Sequence, residues 1–338
     1  MYTVSFCIPV YNAADTTYKL VKDMLTCDSE EFQIVISDNA SEDKLLEKLS
    51  EINDSRLKVS VNEKNIGARA NWLASLEAGD GEYLYFVIGR DMLNPKKIEQ
   101  LIDVLKEAKR KGVQLLEDGP KRRIGLQASK FKVYEGLEAI TKFVNCDHPS
   151  GIIYQREAFR QIKNRNWIFN LSSTYPENII KLKLLEKDMR AAKISCDVYC
   201  GKTAMNLEYR KSSYQLLAKD KIPYWYPAKL LEANMRIINC ALKMKLPENM
   251  QEEIIKEYYR KALQRVSFTW RNYWRDSTHA GHYSHELRKV SKIERITNIL
   301  AVDKAFRHYY DRQIKGTMPS KLRVILWKQI WLTVQDKG

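Results

Sequence analysis

The sequence predicts an α/β fold in which a mainly parallel sheet with flanking helices precedes a mostly helical C-terminal region. Through roughly the first 90 residues, short β-rich apolar runs alternate with amphipathic segments of about ten residues, as in a doubly wound sheet. The charge also changes along the chain, since residues 1–110 carry 14 basic and 19 acidic side chains and the other 228 carry 43 and 23. For a chain of 338 residues, we expect two domains, 1–222 and 223–338.

The strands of the first domain are predicted from apolar runs that stop at turn-forming residues, at 3–10, 32–37, 57–61 and 83–88. Helical spacing predicts helices over 16–25, 68–78 and around 98–105. Ser41 is the expected N-cap of a further helix through Leu45 and Leu49. The polar residues 117–123 indicate an exposed loop, and a helix is expected near 176–193.

Composition excludes several classes of protein. No uncharged apolar run approaches 18 residues, which argues against a membrane-spanning helix, and the first ten residues lack the features of a secretory signal. Six scattered cysteines without CxxC pairs argue against a disulfide scaffold or a zinc site, so we expect a cytoplasmic protein. The net charge of +15 indicates a polyanionic partner, and nucleic acid, anionic lipid and phosphorylated substrates all remain candidates.

Polar clusters follow each of the four predicted strands, at 9–12, 37–41, 62–71 and 89–91. In a parallel sheet the ligand crevice lies at the carboxyl ends of the strands. These four loops should therefore converge on one binding site.

The four loops resemble, in order, the pattern of the family 2 glycosyltransferases with the GT-A fold. The matching segments are residues 4–12 (VSFCIPVYN), 34–41 (IVISDNAS) and 65–71 (NIGARAN). A Gly-Glu-Tyr turn at 81–83 resembles the bacterial surface-polysaccharide transferases of the abequosyltransferase type. The resemblance covers roughly the first 95 residues and continues more weakly to about residue 200.

This resemblance implies an enzyme of the hexosyltransferase type. It would move a sugar from a nucleotide-sugar donor, expected to be UDP-linked, to a saccharide acceptor. That acceptor is expected to be lipid-linked, in bacterial surface polysaccharide assembly, and the transfer is expected to invert the anomeric centre. Residues 1–95 would form the nucleotide-sugar half of the domain and residues 96–222 the acceptor half.

The resemblance assigns nucleotide-sugar binding to eight residues: Pro9, Tyr11, Asn12, Asp38, Asn65, Gly67, Asn71 and Arg90. A tyrosine at a strand end can stack on a base, and a carboxylate such as Asp38 can accept from the ring N–H of a uracil-like base. The helix start after Gly67 can face a phosphate, although a simple turn into a helix explains the same segment.

The acidic motif of the family, usually consecutive aspartates after the fourth strand, holds a divalent cation against the diphosphate. Here the corresponding residues are Gly89, Arg90 and Asp91, so one carboxylate remains beside a guanidinium. Asp91 is the expected ligand for Mn²⁺ or Mg²⁺, which often take one or two carboxylates and complete their shell with phosphate and water. Arg90 is expected to pair with the diphosphate, and loss of metal binding is the alternative.

Residues 151–159 resemble the acceptor-side strand and helix of the family, which assigns Gly151 and Tyr154 to the acceptor side. Glu177 lies where the helix that carries the catalytic base would start, with Asp147 and Asp188 as competitors. An acidic residue in a first helical turn is also favoured by the helix dipole alone.

The C-terminal region interleaves cations with aromatic residues, and residues 229–338 carry 22 basic and 11 acidic side chains. Basic helices with Trp and Tyr fit an anionic membrane surface on the inner face of the plasma membrane, or single-stranded nucleic acid. The membrane is preferred, with no nucleic acid partner expected. The aromatics alternatively form the core of a helical bundle, and a homo-oligomer stays open.

Two further alternatives are a catalytically silent protein that binds nucleotide sugar or a partner, and a nucleic-acid-binding protein.

Overall fold

The computed structural model of the chain describes residues 2–89, 91–119, 131–144, 149–170, 176–202, 245–277, 292–314 and 320–335, together with 237, 240 and 243. Two compact units are present, one formed by Met1–Leu171 with Pro176–Asn206 and the other by Ser172–Tyr175 with Leu207–Gly338. The domain boundary predicted near residue 222 lies outside the described residues, and it stays a prediction.

The first unit begins with alternating strands and helices: β1 (Val4–Val10), α1 (Ala14–Met24), β2 (Phe32–Asp38), α2 (Leu45–Ser50), β3 (Leu57–Val61), α3 (Ala68–Glu77) and β4 (Tyr83–Phe86). β1 pairs in parallel with both β2 and β4, and β2 pairs in parallel with β3. All seven residues of β2 are buried, as expected of a central parallel strand covered on both faces.

The second half of this unit continues the sheet. Its elements are β5 (Asp91–Leu93), a 3₁₀ turn (Pro95–Lys97), α4 (Ile98–Arg110), β6 (Leu115–Asp118), β7 (Phe131–Glu135), α5 (Gly136–Phe143), β8 (Ile152–Gln155), α6 (Arg156–Arg160), α7 (Arg165–Asn170), α8 (Pro176–Asp188), β9 (Arg190–Ile194) and β10 (Tyr199–Lys202). The eight-stranded sheet has the order β3-β2-β1-β4-β8-β6-β9-β7, in which β8 and β7 run antiparallel to their neighbours. β5 and β10 form a separate antiparallel pair.

The predicted α/β architecture with a mainly parallel sheet is confirmed, and three local predictions were wrong. Ser41 does not cap α2, because its hydroxyl instead donates to Asp38 and the helix begins at Leu45. The loop expected at 117–123 begins two residues late, since Glu117 and Asp118 end the buried strand β6. The helix expected to reach residue 193 ends at Asp188, where strand β9 follows within two residues.

A buried ion group ties α8 to the sheet. The Lys181 ammonium lies in the interior, where it bonds to the carboxylate of Glu117 and donates to the carbonyl oxygen of Phe143 at 3.0 Å. Lys193 of β9 lies 3.8 Å from the other carboxylate oxygen of Glu117. Because an uncompensated buried charge is strongly unfavourable, these bonds hold α8 in register over β6.

The second unit contains three described helices: α9 (Glu248–Ser277), α10 (Lys292–Ile314) and α11 (Lys321–Gln335). They pack against one another. In the core of this unit the Tyr259 and Phe306 rings lie 4.6 Å apart, and the Tyr259 hydroxyl bonds to Asp303, which also pairs with Arg307 at 2.8 Å. The predicted helical C-terminal region is confirmed. Among the described residues, no helix is long and apolar enough to cross a membrane.

Candidate active site

The carboxyl ends of β1, β2 and β3 lie side by side, as the sequence pattern predicted. Val10 pairs with Asp38, and Asp38 with Val61. The loop after β1 is then tied to the loop after β2, because the Asn12 N–H donates to the Ser41 hydroxyl at 2.9 Å.

Asp38 is almost completely buried at the end of β2. The N–H of Ser41 donates to its Oδ1 at 3.2 Å, and the Ser41 hydroxyl donates to the same atom. Ala40 and Asn12 take positive φ values of 58° and 49°, which closes these two turns tightly. Both hydrogen bonds from described residues to this carboxylate reach Oδ1, so Oδ2 can accept from a ligand.

Asn71, on the first turns of α3, joins three strand ends. Its side-chain amide donates to the carbonyl oxygens of Ser37 at 2.9 Å and Val10 at 3.3 Å. Its Oδ1 accepts from the Ser37 hydroxyl at 2.7 Å and from Asn62 at 2.9 Å. With both amide groups engaged inside the protein, Asn71 holds the crevice together and does not present its amide to a ligand.

The start of α3 is shaped by a second set of amides. Asn65 Oδ1 accepts from the side chain of Asn39 and from the Gly67 N–H, both at 2.9 Å, and Asn39 Oδ1 accepts from the Ile66 N–H at 2.9 Å. Gly67 has a φ of +86°, a conformation that side chains rarely adopt, although a Cβ there would meet no atom within 4 Å. These bonds present the exposed segment 64–67 and the helix start at the crevice.

Asp91 lies beside the end of β1. A Cβ on Gly89 would approach the carbonyl oxygen of Pro9 to 3.1 Å, so the turn before Asp91 packs directly on the β1 end. The Ser150 hydroxyl donates to Asp91 Oδ2 and accepts from the Ile88 N–H at 2.8 Å. Strand pairing with β10 places Asp91 opposite Lys202.

Asp91 is a single carboxylate, so a divalent cation bound to it would need most of its ligands from substrate and water. Among the described residues, no group of three or more His, Cys, Asp or Glu side chains is arranged to hold a metal ion. Mn²⁺ and Mg²⁺ often take only one or two carboxylates and fill their shell with phosphate oxygens and water. Asp91 is a suitable carboxylate for such a site, while Arg90 lies outside the described residues.

Asp118 is a buried carboxylate that the sequence did not indicate as part of the site. It ends β6, where its Oδ2 accepts from the Tyr85 hydroxyl at 2.9 Å and its Oδ1 from the Cys196 N–H at 3.0 Å. Burial raises the pKa of Asp118 to about 6, against the opposing effect of these hydrogen bonds. The apolar run before Asp118 was a signal that could have identified it, because the other crevice residues also follow such runs.

Asp118 and Asp91 are connected through Ser150 and Gly151. The Asp118 N–H donates to the Gly151 carbonyl at 2.7 Å, and the Gly151 N–H donates to Phe86 at 3.0 Å. Gly151 has a φ of +92°, and a Cβ there would lie 2.2 Å from the Asp118 carbonyl oxygen. Glycine is therefore required at position 151, next to Ser150, which contacts Asp91, and against the backbone of Asp118.

Glu177 and Tyr154, the other two residues predicted in this half of the domain, are both buried. Glu177 is buried in the first turn of α8, one turn before Lys181, which reaches β6. Because α8 leads into β9, which is parallel to β6, Glu177 lies at the edge where these strands end. Tyr154 is buried in the core with its ring 5.4 Å from that of Phe159, which makes it a packing residue.

Asp188 and Asp147 were the other candidates for the catalytic base. Asp188 ends α8 and is thus about 17 Å along the helix from Glu177. Asp147 lies outside the described residues. Pro9 and Tyr11 are half-buried at the end of β1, beside Asn12 and Asp38.

Residues 5–163 match the family model described as glycosyl transferase family 2. This match contains all four strand-end loops and spans just under half of the 338 residues. The resemblance found in the strand-end motifs is confirmed, and these residues form a glycosyltransferase domain of family 2. One curated relative is the Escherichia coli enzyme named UDP-Glc:alpha-D-GlcNAc-diphosphoundecaprenol beta-1,3-glucosyltransferase WfgD, 22% identical over 210 residues that cover 60% of this chain and 76% of the relative. WfaP, of the same named activity and organism, is 29% identical over 32% of this chain and 43% of its own length.

Solved structures show the same fold. TarS residues 1–349 from S. aureus, in complex with UDP-GlcNAc, aligns with a TM-score of 0.56 at 17% identity over 91% of this chain and 92% of TarS 1–349. The mannosyltransferase PcManGT from Pyrobaculum calidifontis, in complex with GDP-Man and Mn²⁺, aligns with a TM-score of 0.53 at 14% identity over 99% and 88%. At these identities the likeness establishes the GT-A fold.

Proposed function

We propose that this glycosyltransferase moves a sugar from a UDP-linked donor to a saccharide acceptor carried on a lipid, in the assembly of a bacterial surface polysaccharide. The acceptor hydroxyl attacks the anomeric carbon while the bond to the diphosphate breaks, so the configuration inverts. The reaction would take place in the cytoplasm, at the inner face of the plasma membrane.

The relatives support the choice of donor and acceptor. Both Escherichia coli enzymes are named for a UDP-glucose donor and for an N-acetylglucosamine acceptor on diphosphoundecaprenol.

Asp38 carries the proposal for the donor. Its buried carboxylate is held through Oδ1 by Ser41 and can accept the N3–H of uracil through Oδ2. Tyr11, half-buried at the neighbouring strand end, can stack on the base. A cytosine ring has no N–H at this position, so the site should prefer UDP to CDP.

Calorimetry with UDP tests this assignment. Asp38→Ala should weaken UDP binding by about 1–3 kcal/mol, which is about 5- to 150-fold, because the uracil N–H loses its partner. The matched control is Asp103→Ala, which removes an exposed carboxylate from α4. Unchanged UDP affinity in folded Asp38→Ala, or equal affinity of the wild type for UDP and CDP, would rule out base recognition by Asp38.

Asp91 is proposed to hold a divalent cation at the diphosphate, with Arg90 contributing positive charge. When bound, such a cation stabilises the negative charge of the leaving diphosphate. Because that charge grows in the transition state, Asp91→Ala should lower turnover more than UDP affinity. Full activity of this variant in EDTA would contradict a metal role for Asp91. Wild-type activity in EDTA that is lost in Arg90→Ala would instead assign the charge compensation to the arginine.

Glu177 is proposed as the base that accepts the proton of the acceptor hydroxyl. It lies in the first turn of α8 at the edge of the sheet that carries the crevice. Glu177→Gln keeps the size of the side chain but cannot take a proton, so turnover should fall by about 100-fold or more with UDP affinity retained. Asp188→Asn, at the other end of α8, is the control and should keep full turnover. Equal losses in the two variants would argue against Glu177.

The family assignment favours an enzyme over the two alternatives from the sequence. A catalytically silent protein would bind UDP-sugar without releasing UDP in the presence of acceptor. Donor-dependent release of free UDP therefore separates the two. A nucleic-acid-binding protein would instead show salt-dependent binding of oligonucleotides.

A further inference from the structure

Helix α11 leaves a large apolar surface uncovered. Its inward side is formed by Leu322, Leu326 and Thr333, all buried against the other helices of the unit. On the opposite side Val324, Trp327 and Trp331 are 68%, 65% and 59% exposed. These three residues follow at intervals of three and four, so they form one continuous stripe, here called the tryptophan face.

Single exposed apolar residues are normal on a protein surface, but a continuous stripe is not. The tryptophan face extends sideways to Leu332 and Val334, which are also exposed. No hydrophobic core is completed by these side chains within the described part of the second unit. The stripe is therefore exposed to solvent among the described residues of this unit.

The charges around the stripe select the kind of partner. Arg323 and Lys328 are exposed, and helical geometry places them on the two flanks of the stripe. Residues 321–335 contain three basic side chains and no acidic one, within a region of 22 basic and 11 acidic residues. A surface that fits this face must offer both negative charge and an apolar interior.

We propose that the tryptophan face is a docking surface for an anionic membrane, on which α11 lies parallel to the bilayer plane. Tryptophan suits the boundary between headgroups and hydrocarbon, because its ring is apolar and its indole N–H is polar. Arg323 and Lys328 can reach lipid phosphates while their stems lie along the apolar surface. At 15 residues, α11 is about 22 Å long, shorter than a bilayer core of about 30 Å, so it would lie on the surface.

This inference is consistent with the proposed lipid-linked acceptor and rests on the proposed function only for its biological purpose. Docking would hold the catalytic unit at the surface where such an acceptor is found. The exposed residues of α11 do not depend on the proposed activity, so the membrane test needs neither donor nor acceptor.

The test is sedimentation of the full chain with two kinds of vesicle, phosphatidylcholine alone and phosphatidylcholine with phosphatidylglycerol. The wild type should sediment with the anionic vesicles and be partly released by high salt, but should stay in solution with the neutral ones. Trp327→Gln with Trp331→Gln should remove most of this binding. The matched control is Trp167→Gln on α7, since Trp167 is 60% exposed in the first unit and should have no effect.

A charge reversal separates electrostatic from apolar binding. Since each basic residue near an anionic surface contributes about fivefold, Arg323→Glu with Lys328→Glu should weaken binding by at least about 25-fold and reduce its salt dependence. Deletion of residues 321–338 should have the same result.

Several outcomes would overturn the proposal. Equal sedimentation with neutral and anionic vesicles, or binding to neither, contradicts it. A change in oligomeric state of the Trp327/Trp331 variant by analytical ultracentrifugation, without a change in vesicle binding, would assign the face to a second copy of the chain. UDP calorimetry on each variant keeps the two proposals distinct, because UDP affinity should be unchanged whether or not vesicles bind.

Discussion

Replacing Asp118 by Asn should remove a pH-dependent loss of stability from the first unit. Asp118 is only 2% exposed, and burial raises its pKa from 3.8 to about 6. The hydrogen bonds from Tyr85, Cys196 and Tyr199 favour the carboxylate, but they do not balance its desolvation. An Asn side chain has the same shape as the protonated acid and carries no charge at any pH.

The direction in which stability changes with pH follows from the raised pKa of Asp118. A carboxyl group with a raised pKa in the folded state binds its proton more tightly there than in the unfolded chain, so folding is favoured at low pH. This contribution is complete below the unfolded pKa and is lost as the pH rises through the folded pKa. A shift from 3.8 to about 6 corresponds to a total of about 3 kcal/mol, of which about 1 kcal/mol is lost between pH 5 and pH 7.5.

Urea unfolding of the wild type and Asp118→Asn at about pH 5, 6 and 7.5 measures this difference. The free energy of unfolding of the variant, relative to the wild type, should rise by about 1 kcal/mol across that range. Taking the difference between the two proteins cancels the titration of every other group. The control is Asp103→Asn on α4, an exposed carboxylate whose difference from the wild type should not change with pH. If the curves for wild type and Asp118→Asn run parallel, the carboxylate is not desolvated in the way the structure indicates.

Three further predictions concern residues that hold the crevice together. Gly151→Ala should lower the free energy of unfolding by at least about 2 kcal/mol, measured in urea, because a Cβ would lie 2.2 Å from the Asp118 carbonyl oxygen; an unchanged midpoint would contradict the contact. Asn71→Ala should cost about 2–4 kcal/mol and should also weaken UDP binding, since it orphans buried groups at three strand ends; retained UDP affinity at lower stability would separate the two effects. Glu117→Gln should destabilise the fold by about 3–5 kcal/mol, because the buried Lys181 loses its charged partner. The double variant with Lys181→Met should recover part of this loss, and no recovery would refute the pairing.

The strand-end motifs could be read from the sequence because each lies within one short segment. An apolar run followed by Asp38, or by Gly89 to Asp91, shows where a strand ends, and parallel pairing then brings successive strand ends together. The resemblance to family 2 glycosyltransferases rests on the same local segments. The fold class and the meeting of these strand ends were therefore accessible without coordinates.

The contacts that hold the crevice together could not be read in this way. Asn71 bonds to Val10, 61 positions away, and Asp118 bonds to Tyr85 and Cys196 at separations of 33 and 78. Nothing in the residues next to Asp118 indicates these partners, and its polar neighbours suggested an exposed loop. Desolvation depends on everything that surrounds a group, so the raised pKa of Asp118 is a property of the tertiary structure.

In the C-terminal region, too, the sequence predicts the helix but the packing decides which of its sides is buried. The sequence of 321–335 determined a basic helix with two tryptophans, and it left open whether these form a core or a surface. Helical periodicity could not decide this, because apolar residues lie on more than one side of α11. Packing against α9 and α10 buries Leu322 and Leu326 and leaves Trp327 and Trp331 in solvent. Which apolar side of a helix is buried depends on which side its neighbours cover, and that is decided only when the helices pack.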